Sequence, residues 1–440
     1  MVTIRHEFYD PNCADEQEVK LPSAPRVTLS ANASIQPPLT RRGTGPGMIM
    51  FLPSPDKYQA KGASAAEGIS VQKSLDPEPV QKWAEEGFAV VGVLDPTSPN
   101  AEWNVPKALE GGLKALRALP ELDTQDKFAV LGTWFAVYDA SILSAVQEAA
   151  AQYPELICVV TFASEIQDKT PSKPTLYHLS VAEAPADTGS VQAHAYPDAK
   201  SPFFVFPSSP DYDPGSATAA HCKALVFLRK HVGGPNFDIE AVWDEHTFFE
   251  FELRSVARTM GTMVQEPYVN HVTTVSIPCK HSSDRSRLML SQMTGGVGRK
   301  ELTAFYRDHF IFSNPPDTVM KNVSRTVGVD RVVDEFIFCI THTTQVDWLL
   351  PGVPPTGKKM EIPMMGVINV RGDRLYHEHI WWDQGTALKQ AGLLPDILEV
   401  PTANGPRKLK LPVADEACAR LLVNESDGVC NEMLDWGYQD

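Results

Sequence analysis

Near the end of the chain, His377, His379, Trp381 and Asp383 occupy every second position of a strand-like stretch that begins at Tyr376. Side chains on a strand alternate between faces, so these four share one face while Glu378, Ile380 and Trp382 share the other. Three ionisable groups and an indole on one sheet face are costly unless that face lines a polar pocket. In such a pocket a carboxylate can take a proton, and a neutral imidazole can donate to a developing oxyanion. Two plainer readings stand beside this one. Histidines at alternate positions are ordinary on a solvated strand, and Asp383 also has the residue type and the place to cap a helix over 385–391.

Other candidates are more scattered. His271 follows Asn270 within a strand-like piece, and Glu335 and His342 lie seven residues apart in another. That odd separation puts them on opposite faces, so only one of the two can point inward. Tyr306 and His309 sit in a helical stretch, where packing against a sheet is the expected fate. His271, His377 and His379 would offer three nitrogens to a metal, but histidines two apart on a strand are a weak ligand pattern, and no metal or other cofactor is expected. The run Gly295-Gly296-Val297-Gly298 has no lysine-threonine pair after it, so phosphate binding is not expected either.

The bulk numbers narrow the function classes. A chain of 440 residues exceeds what one hydrophobic core usually organises. Its formal charge is −16, and Lys+Arg against Asp+Glu runs 19 to 27 over residues 1–237 and 20 to 28 over residues 238–440. An evenly acidic chain without basic patches repels phosphate backbones and anionic membranes, leaving small molecules as the expected ligands. The seven cysteines form no C-x-x-C pair, which argues against a disulfide framework and a zinc site. The first residues lack a charged segment followed by an apolar one, and no apolar run approaches the ~20 residues that span a bilayer. Cytoplasmic residence is expected.

The elements that must position these groups fall into two patterns. From residue 45 onward, apolar runs at 48–52, 89–94, 127–131 and 156–162 alternate with helical stretches at 79–86, 105–119 and 138–152. That is the rhythm of a parallel sheet covered on both faces. Strands over 174–179 and 202–206 and a helix over 216–231 follow. Gly233-Gly234-Pro235 then ends the helix and marks a boundary near 237. Residues 1–45 give only weak strand signals. Beyond the boundary, Val242, Phe249, Leu253, Val256, Met260 and Val264 predict one long amphipathic helix starting after Asp238. A strand over 267–275, a helix over 299–310 and strands over 318–326, 331–349, 359–370 and 375–383 complete an α+β plan.

Three segments of the second half carry a resemblance. Val269-Asn270-His271, the run from Leu350 to Pro363 with Pro-Gly-Val-Pro-Pro-Thr-Gly-Lys-Lys, and Tyr376 to Gln384 with Gln390-Ala-Gly-Leu-Leu394 are similar to the SnoaL-type polyketide cyclases of the ketosteroid-isomerase-like fold. The resemblance spans most of residues 240–395. It implies a curved antiparallel sheet wrapped around a helix as a cone, with Asp383 as acid/base; neutral His379 or His377 would then donate to the developing oxyanion. Substrate contacts would come from His377, Trp381, His271, Asn270, Glu335 and His342. It implies no cofactor, and it allows a homodimer through the C-terminal domain.

The first half, over about 45–232, resembles the dienelactone hydrolase branch of the α/β-hydrolases. The resemblance rests on Glu85-Glu86-Gly87-Phe88-Ala89-Val90-Val91 leading to Asp95, then Val130-Leu131-Gly132. It implies a doubly wound, mostly parallel sheet and a nucleophile elbow after Gly132. The sequence there reads Gly132-Thr133-Trp134-Phe135-Ala136, and an indole cannot attack a carbonyl. Serine, as Ser201, stands where the family's histidine belongs after Tyr196-Pro197-Asp198-Ala199. With nucleophile and base both absent, a catalytically inactive domain is expected, and Ser141, Ser201 and His194 read as ordinary surface residues.

The expectation is therefore two domains, 1–237 and 238–440, with chemistry in the second. That chemistry is cofactor-independent proton transfer beside a carbonyl, giving cyclisation or isomerisation of a polyketide-like or other carbonyl-rich metabolite. Ester or lactone hydrolysis in the first half, or a non-catalytic ligand-holding or assembly role, are the rival readings.

Overall fold

Strands that are apolar at every position can be stable only where both faces are covered, and four such runs organise the first half of the chain. A computed structural model describes residues 5–58, 74–95, 104–133, 140–166, 168–276 and 292–439, without the side chains of 56, 133, 140–144, 275, 276, 292, 293 and 439. The chain is a mixed α/β protein that divides into two compact units. One, called the first unit, comprises Leu21–Asp238 with the turn Arg371–Asp373, and the second comprises Met1–Lys20, Ile239–Val370 and Arg374–Asp440.

In the first unit, strands β1 (Val27–Ser30), β2 (Ala33–Gln36), β3 (Gly47–Leu52), β4 (Ala89–Leu94), β5 (Phe128–Thr133), β6 (Leu156–Ala163), β7 (Thr175–Leu179) and β8 (Val191–Ala195) form one sheet. Its order is β1-β2-β4-β3-β5-β6-β7-β8. The pairs from β4 to β8 are parallel, while β1 and β2 run antiparallel at the edge. Helices α1 (Pro79–Glu85), α2 (Val105–Arg117), α3 (Ala140–Gln152) and α4 (Pro214–Val232) cover it. Local chemistry sets their ends. Asn104 caps α2 by accepting from Lys107 N, Asp213 caps α4 by accepting from Ser216 N, and Gly233 stops α4 with φ at 89°. The 202–206 stretch is a 3₁₀ turn, Pro202–Val205, rather than a strand. Pro202 lacks the N–H a ladder needs, and Ser201 Oγ accepts from Phe203 N to start the turn.

The second unit is built on a six-stranded sheet of β9 (Met263–Ser276), β10 (Gln292–Val297), β11 (Val319–Val327), β12 (Arg331–Thr341), β13 (Lys359–Arg371) and β14 (Arg374–Trp382), in the order β10-β9-β14-β13-β12-β11. Pairings are antiparallel except β14 with β9. A separate three-stranded sheet, β15 (Ile397–Val400), β16 (Arg407–Lys410) and β17 (Gly437–Gln439), follows later in the chain.

The single long helix expected after Asp238 is three pieces: α5 (Ile239–Thr247), a π-helical turn Phe248–Leu253, and α6 (Val256–Gly261). Arg254 breaks the run with φ at 61°, and Ser255 restarts it by accepting from Arg258 N. Glu16 caps the same end from the N-terminal segment, its two oxygens accepting from Val256 N and Ala257 N. Helix α7 (Arg299–Phe305) likewise runs into a π turn, Tyr306–Phe310, and two short helices follow, α8 (Gln384–Gln390) and α9 (Ala417–Val423).

The pairing of β10 with β9 depends on Gly295, which sits at φ 130° opposite Asn270; a Cβ there would lie 2.0 Å from Val269 O. Gly295→Ala should therefore disturb the strand that carries His271 and lower stability by more than ~1 kcal/mol in urea denaturation. An unchanged midpoint would show that the pairing tolerates the contact.

Candidate active site

Helix α5 buries one stripe. Ile239, Val242, Trp243 and His246 recur at helical spacing, and all four are buried. The next turn along that stripe brings Glu250, which the π turn holds inside at 2% exposure. A π turn is rare and often accompanies a functional position. The second π turn presents Tyr306, also buried, and β14 contributes Glu378.

These residues converge on one imidazole. His246 Nε2 lies 3.1 Å from Glu250 Oε1 and 3.0 Å from Glu378 Oε1. Tyr306 donates its hydroxyl to Glu378 Oε1 at 2.9 Å and stands 3.3 Å from His246 Nε2. On the other side of the ring, Nδ1 is 2.6 Å from Thr262 Oγ1. That hydroxyl already donates to Thr259 O at 2.7 Å, so it accepts from Nδ1–H. With Nδ1 protonated, a second proton on Nε2 is shared between two carboxylates. Trp243 stacks on the ring at 5.7 Å and anchors its own Nε1–H on Asp334 Oδ2 at 2.8 Å.

The electrostatics follow from burial and pairing. Burial disfavours the imidazolium, but Glu250 and then Glu378 outweigh it and push His246 up to about 10. Burial raises Glu250, His246 pulls it back, and Glu378 raises it again, leaving its carboxyl above the ordinary range. Burial and the two carboxylates hold Tyr306 protonated, well above its usual value.

The cluster opens on a cavity of about 390 Å³, counted to its mouth, with Glu250, Glu378 and His271 among walls otherwise rich in aromatic rings such as Trp348, Phe310 and Phe336. His271 is 2% exposed, and its Nδ1 has no hydrogen-bond partner among the described residues. Burial pushes it down to about 4 despite Glu378, so it is neutral and carries one ring N–H.

The structure places the sequence-predicted residues differently. On β14 the cavity face is Glu378 and Ile380, not the histidines. His377 and His379 lie on the opposite face in an aromatic ladder: Tyr268 stacks on His377 at 4.9 Å, His379 Nε2 meets Tyr268 OH at 3.0 Å, and Trp381 packs edge-on against His379. Asp383 is exposed and caps α8, its Oδ2 accepting from Thr386 N and Oγ1 at 2.7 and 2.6 Å. The capping reading of Asp383 is the one its geometry fits. Asn270 points away from the cavity with its neighbour-in-sequence His271 inside, and Asn270 Oδ1 has no partner. Glu335 accepts from Ser324 Oγ at 2.9 Å at a part-exposed position of β12. His342 lies past the end of β12, where Nδ1 accepts from Thr356 N at 3.3 Å. Of the eight residues, His271 alone lines the cavity.

His246, Glu250, Tyr306 and Glu378 are the groups that sequence reasoning did not single out. The signal for the first two was present, since a histidine and a glutamate four apart fall on the buried stripe of α5 and its continuation. Their ligand atoms, with one from Glu378, also lie within 4.8 Å of one another, a donor set that a divalent cation could use; His6, Cys13 and Asp15 form a second such group.

In the first unit, Trp134 lies outside the described residues, as does the side chain of Ser141. Ser201 Oγ donates to Asp211 Oδ2 at 2.6 Å, and His194 on β8 faces the His178 ring at 6.2 Å.

No family model matches the chain, and no curated protein matches it. Solved structures with a similar shape include a protein from Jannaschia sp. CCS1 named as a SnoaL-like polyketide cyclase. It is 16% identical, with 37% of this chain and 100% of that one covered at a TM-score of 0.26. Another is a hypothetical protein of ketosteroid-isomerase-like fold from Catenulispora acidiphila, at 11% identity, 36% and 96% coverage and a TM-score of 0.24. An NTF2-like protein of unknown function from Burkholderia pseudomallei stands at 12%, 35%, 95% and 0.24. No helix among the described residues is long and apolar enough to cross a membrane.

Proposed function

We propose that the second unit is a cofactor-independent cyclase or isomerase that moves a proton beside a carbonyl of a polyketide-like or other carbonyl-rich metabolite. One observation carries this reading: a carboxyl of raised proton affinity, Glu250, and a neutral histidine with a ring N–H to give, His271, line the same aromatic cavity. A base works best when its proton affinity approaches the working pH, and burial moves Glu250 in that direction. Glu250 takes the proton from the carbon beside the carbonyl. The electron pair moves onto the carbonyl oxygen, and His271 N–H stabilises the enolate there. Returning the proton at another carbon isomerises the substrate; attack of the enolate carbon on a second carbonyl closes a ring, the π pair of that carbonyl going to its oxygen and the proton held by Glu250 passing to the alkoxide so formed. The imidazolium of His246, held by Glu378 and Tyr306, keeps Glu250 in place and balances charge through the cycle. The SnoaL-type resemblance of the second half supports the substrate class. The first unit is taken as a hydrolase-like scaffold without a nucleophile, on the strength of Trp134 and Ser201.

Proton abstraction has a direct readout. Candidate polyketide intermediates incubated with the protein in deuterium oxide should gain deuterium beside a carbonyl, and new products should appear by chromatography and mass. Absence of both exchange and products across carbonyl-rich substrates would leave the ligand-holding role as the better account. Dialysis against a chelator should leave the exchange rate unchanged, because hydrogen bonds already satisfy the three groups that a cation would need. A lost rate restored by one added divalent metal would convert the cluster into a metal site.

A further inference from the structure

The first unit has a cavity of its own that the proposed chemistry does not use. It lies between the sheet and helices α1 and α4, toward the carboxyl ends of β3, β5 and β6, and measures about 420 Å³ to its mouth. Strand order reverses at β3: β4, the next in sequence, lies on one side and β5 on the other. In open parallel sheets, small ligands bind in the crevice beside such a reversal, outside the carboxyl ends of the strands.

The described walls are apolar, with Trp83 and Phe162 supplying rings, and among the described residues two polar side chains, Lys82 and His221, reach them. Both are incompletely satisfied. Lys82 Nζ donates to Asp76 Oδ2 at 2.7 Å, leaving two of its three N–H groups, and its charge is matched within a cluster in which Arg371 pairs with both Asp76 and Glu85. His221 Nε2 is 2.7 Å from Glu86 Oε1. Glu86 stays ionised, because His221 and then Arg229 outweigh its burial, so Nε2 carries a hydrogen, and burial followed by Lys82 holds the imidazole below its ordinary value, so Nδ1 is left as an acceptor. Nδ1 makes no hydrogen bond among the described residues. The Trp83 indole stands 4.5 Å from the His221 ring and fixes it in the wall.

We infer that this cavity is a binding site for a neutral phenol-type ligand, its ring against Trp83 and Phe162 and its hydroxyl between Lys82 and His221. A hydroxyl is at once a donor and an acceptor, which is what a spare N–H and a spare imidazole lone pair require. A carboxylate would set its oxygens against the Nδ1 lone pair and meet a lysine whose charge is already neutralised. An amine would have no acceptor beyond one nitrogen and would face the ammonium.

The test uses 2-naphthol as the probe, titrated into the full-length protein by calorimetry, with naphthalene and 2-naphthoate as comparisons. The hydroxyl compound should bind, and the other two should bind at least about tenfold more weakly, the size of one lost or mismatched buried hydrogen bond. Ala217, on α4, faces the cavity, and Ala217→Leu should fill it and weaken 2-naphthol at least about tenfold. That variant should leave proton exchange by the second unit as it was, and its circular dichroism should match the parent. Glu250→Gln, which alters the other cavity, should leave 2-naphthol binding unchanged. The inference is overturned if the probe does not bind, if 2-naphthoate binds as tightly, if Ala217→Leu binds like the parent, or if Glu250→Gln abolishes binding.

Discussion

Replacing Glu250 by glutamine should lower turnover by ~10²–10⁴-fold, the usual cost of losing a general base, while the protein stays folded. Glutamine keeps the size of the side chain and can still meet His246 Nε2 with its amide oxygen, but it cannot hold a proton near neutral pH. The contrast that gives the result meaning is Asp383→Asn. Asparagine caps helices about as well as aspartate, and Asp383 is bonded to the start of α8 outside the cavity, so turnover should be unchanged. In the parent, activity that needs ionised Glu250 should fall on the acid side at a pH above the ordinary carboxyl range, in the direction of its shift. Full turnover in Glu250→Gln together with a dead Asp383→Asn would move the chemistry to the end of β14 and refute the assignment.

The largest effect on stability is expected at His246. Removing the cation with His246→Ala leaves the Glu250 and Glu378 carboxyls buried without a counter-charge, at 2% and 4% exposure. Breaking a buried pair in this way typically costs about 3–5 kcal/mol. The pH dependence gives the change its signature. Because the two carboxylates raise His246 to about 10 against its burial, its contribution is complete below the ordinary imidazole value of 6.5 and is lost as pH climbs through 10. The variant should behave oppositely to neutral expectations: acidification protonates the stranded carboxyls and recovers part of the loss. Urea denaturation at pH 5, 7 and 9, values chosen roughly to bracket that window, should show a gap that changes with pH, the parent losing its His246 contribution toward the alkaline end and the variant regaining stability toward the acid end. A gap that is constant across pH would mean that packing, and not charge, holds the cluster.

Much of the architecture was legible because apolar runs are a strong signal. The strand at 89–94 and the starts of α1 and α2 fall where the pattern put them, each near a proline or a capping residue. The strand Val191–Ala195 is hard to read from sequence because its residues, Val-Gln-Ala-His-Ala, alternate correctly but fill two of three apolar positions with alanine, a poor strand former. The site was harder. Period-two reasoning correctly divided β14 into His377, His379 and Trp381 on one face and Glu378 and Ile380 on the other, but the sequence cannot say which face meets the helix. Tyr268 on β9 covers the histidine face with its ring, so polar residues are tolerated there without a pocket. Glu378 stands alone among apolar neighbours on its face, and nothing local marks it as the acid that meets a cavity. Tyr306 was read as a packing residue, since nothing local distinguishes it from one until His246 and Glu378 are placed beside it.

The two widened turns, Phe248–Leu253 and Tyr306–Phe310, bear on how this domain tolerates insertion and deletion. An α-helix advances about 100° per residue, 3.6 residues to the turn, and a π turn spends an extra residue to complete its circle. Each turn thus acts as a one-residue phase step placed where an acid or a phenol must face inward. Removing a single residue from either segment would let the turn close at regular pitch, leaving the helix beyond it in phase but rotating residues inside the former π turn by about 100°. Such a trimmed chain would keep its composition and hydrophobicity nearly intact, yet carry Glu250 or Tyr306 out of register with His246. Length, more than residue identity, is the quantity these segments conserve for the cavity.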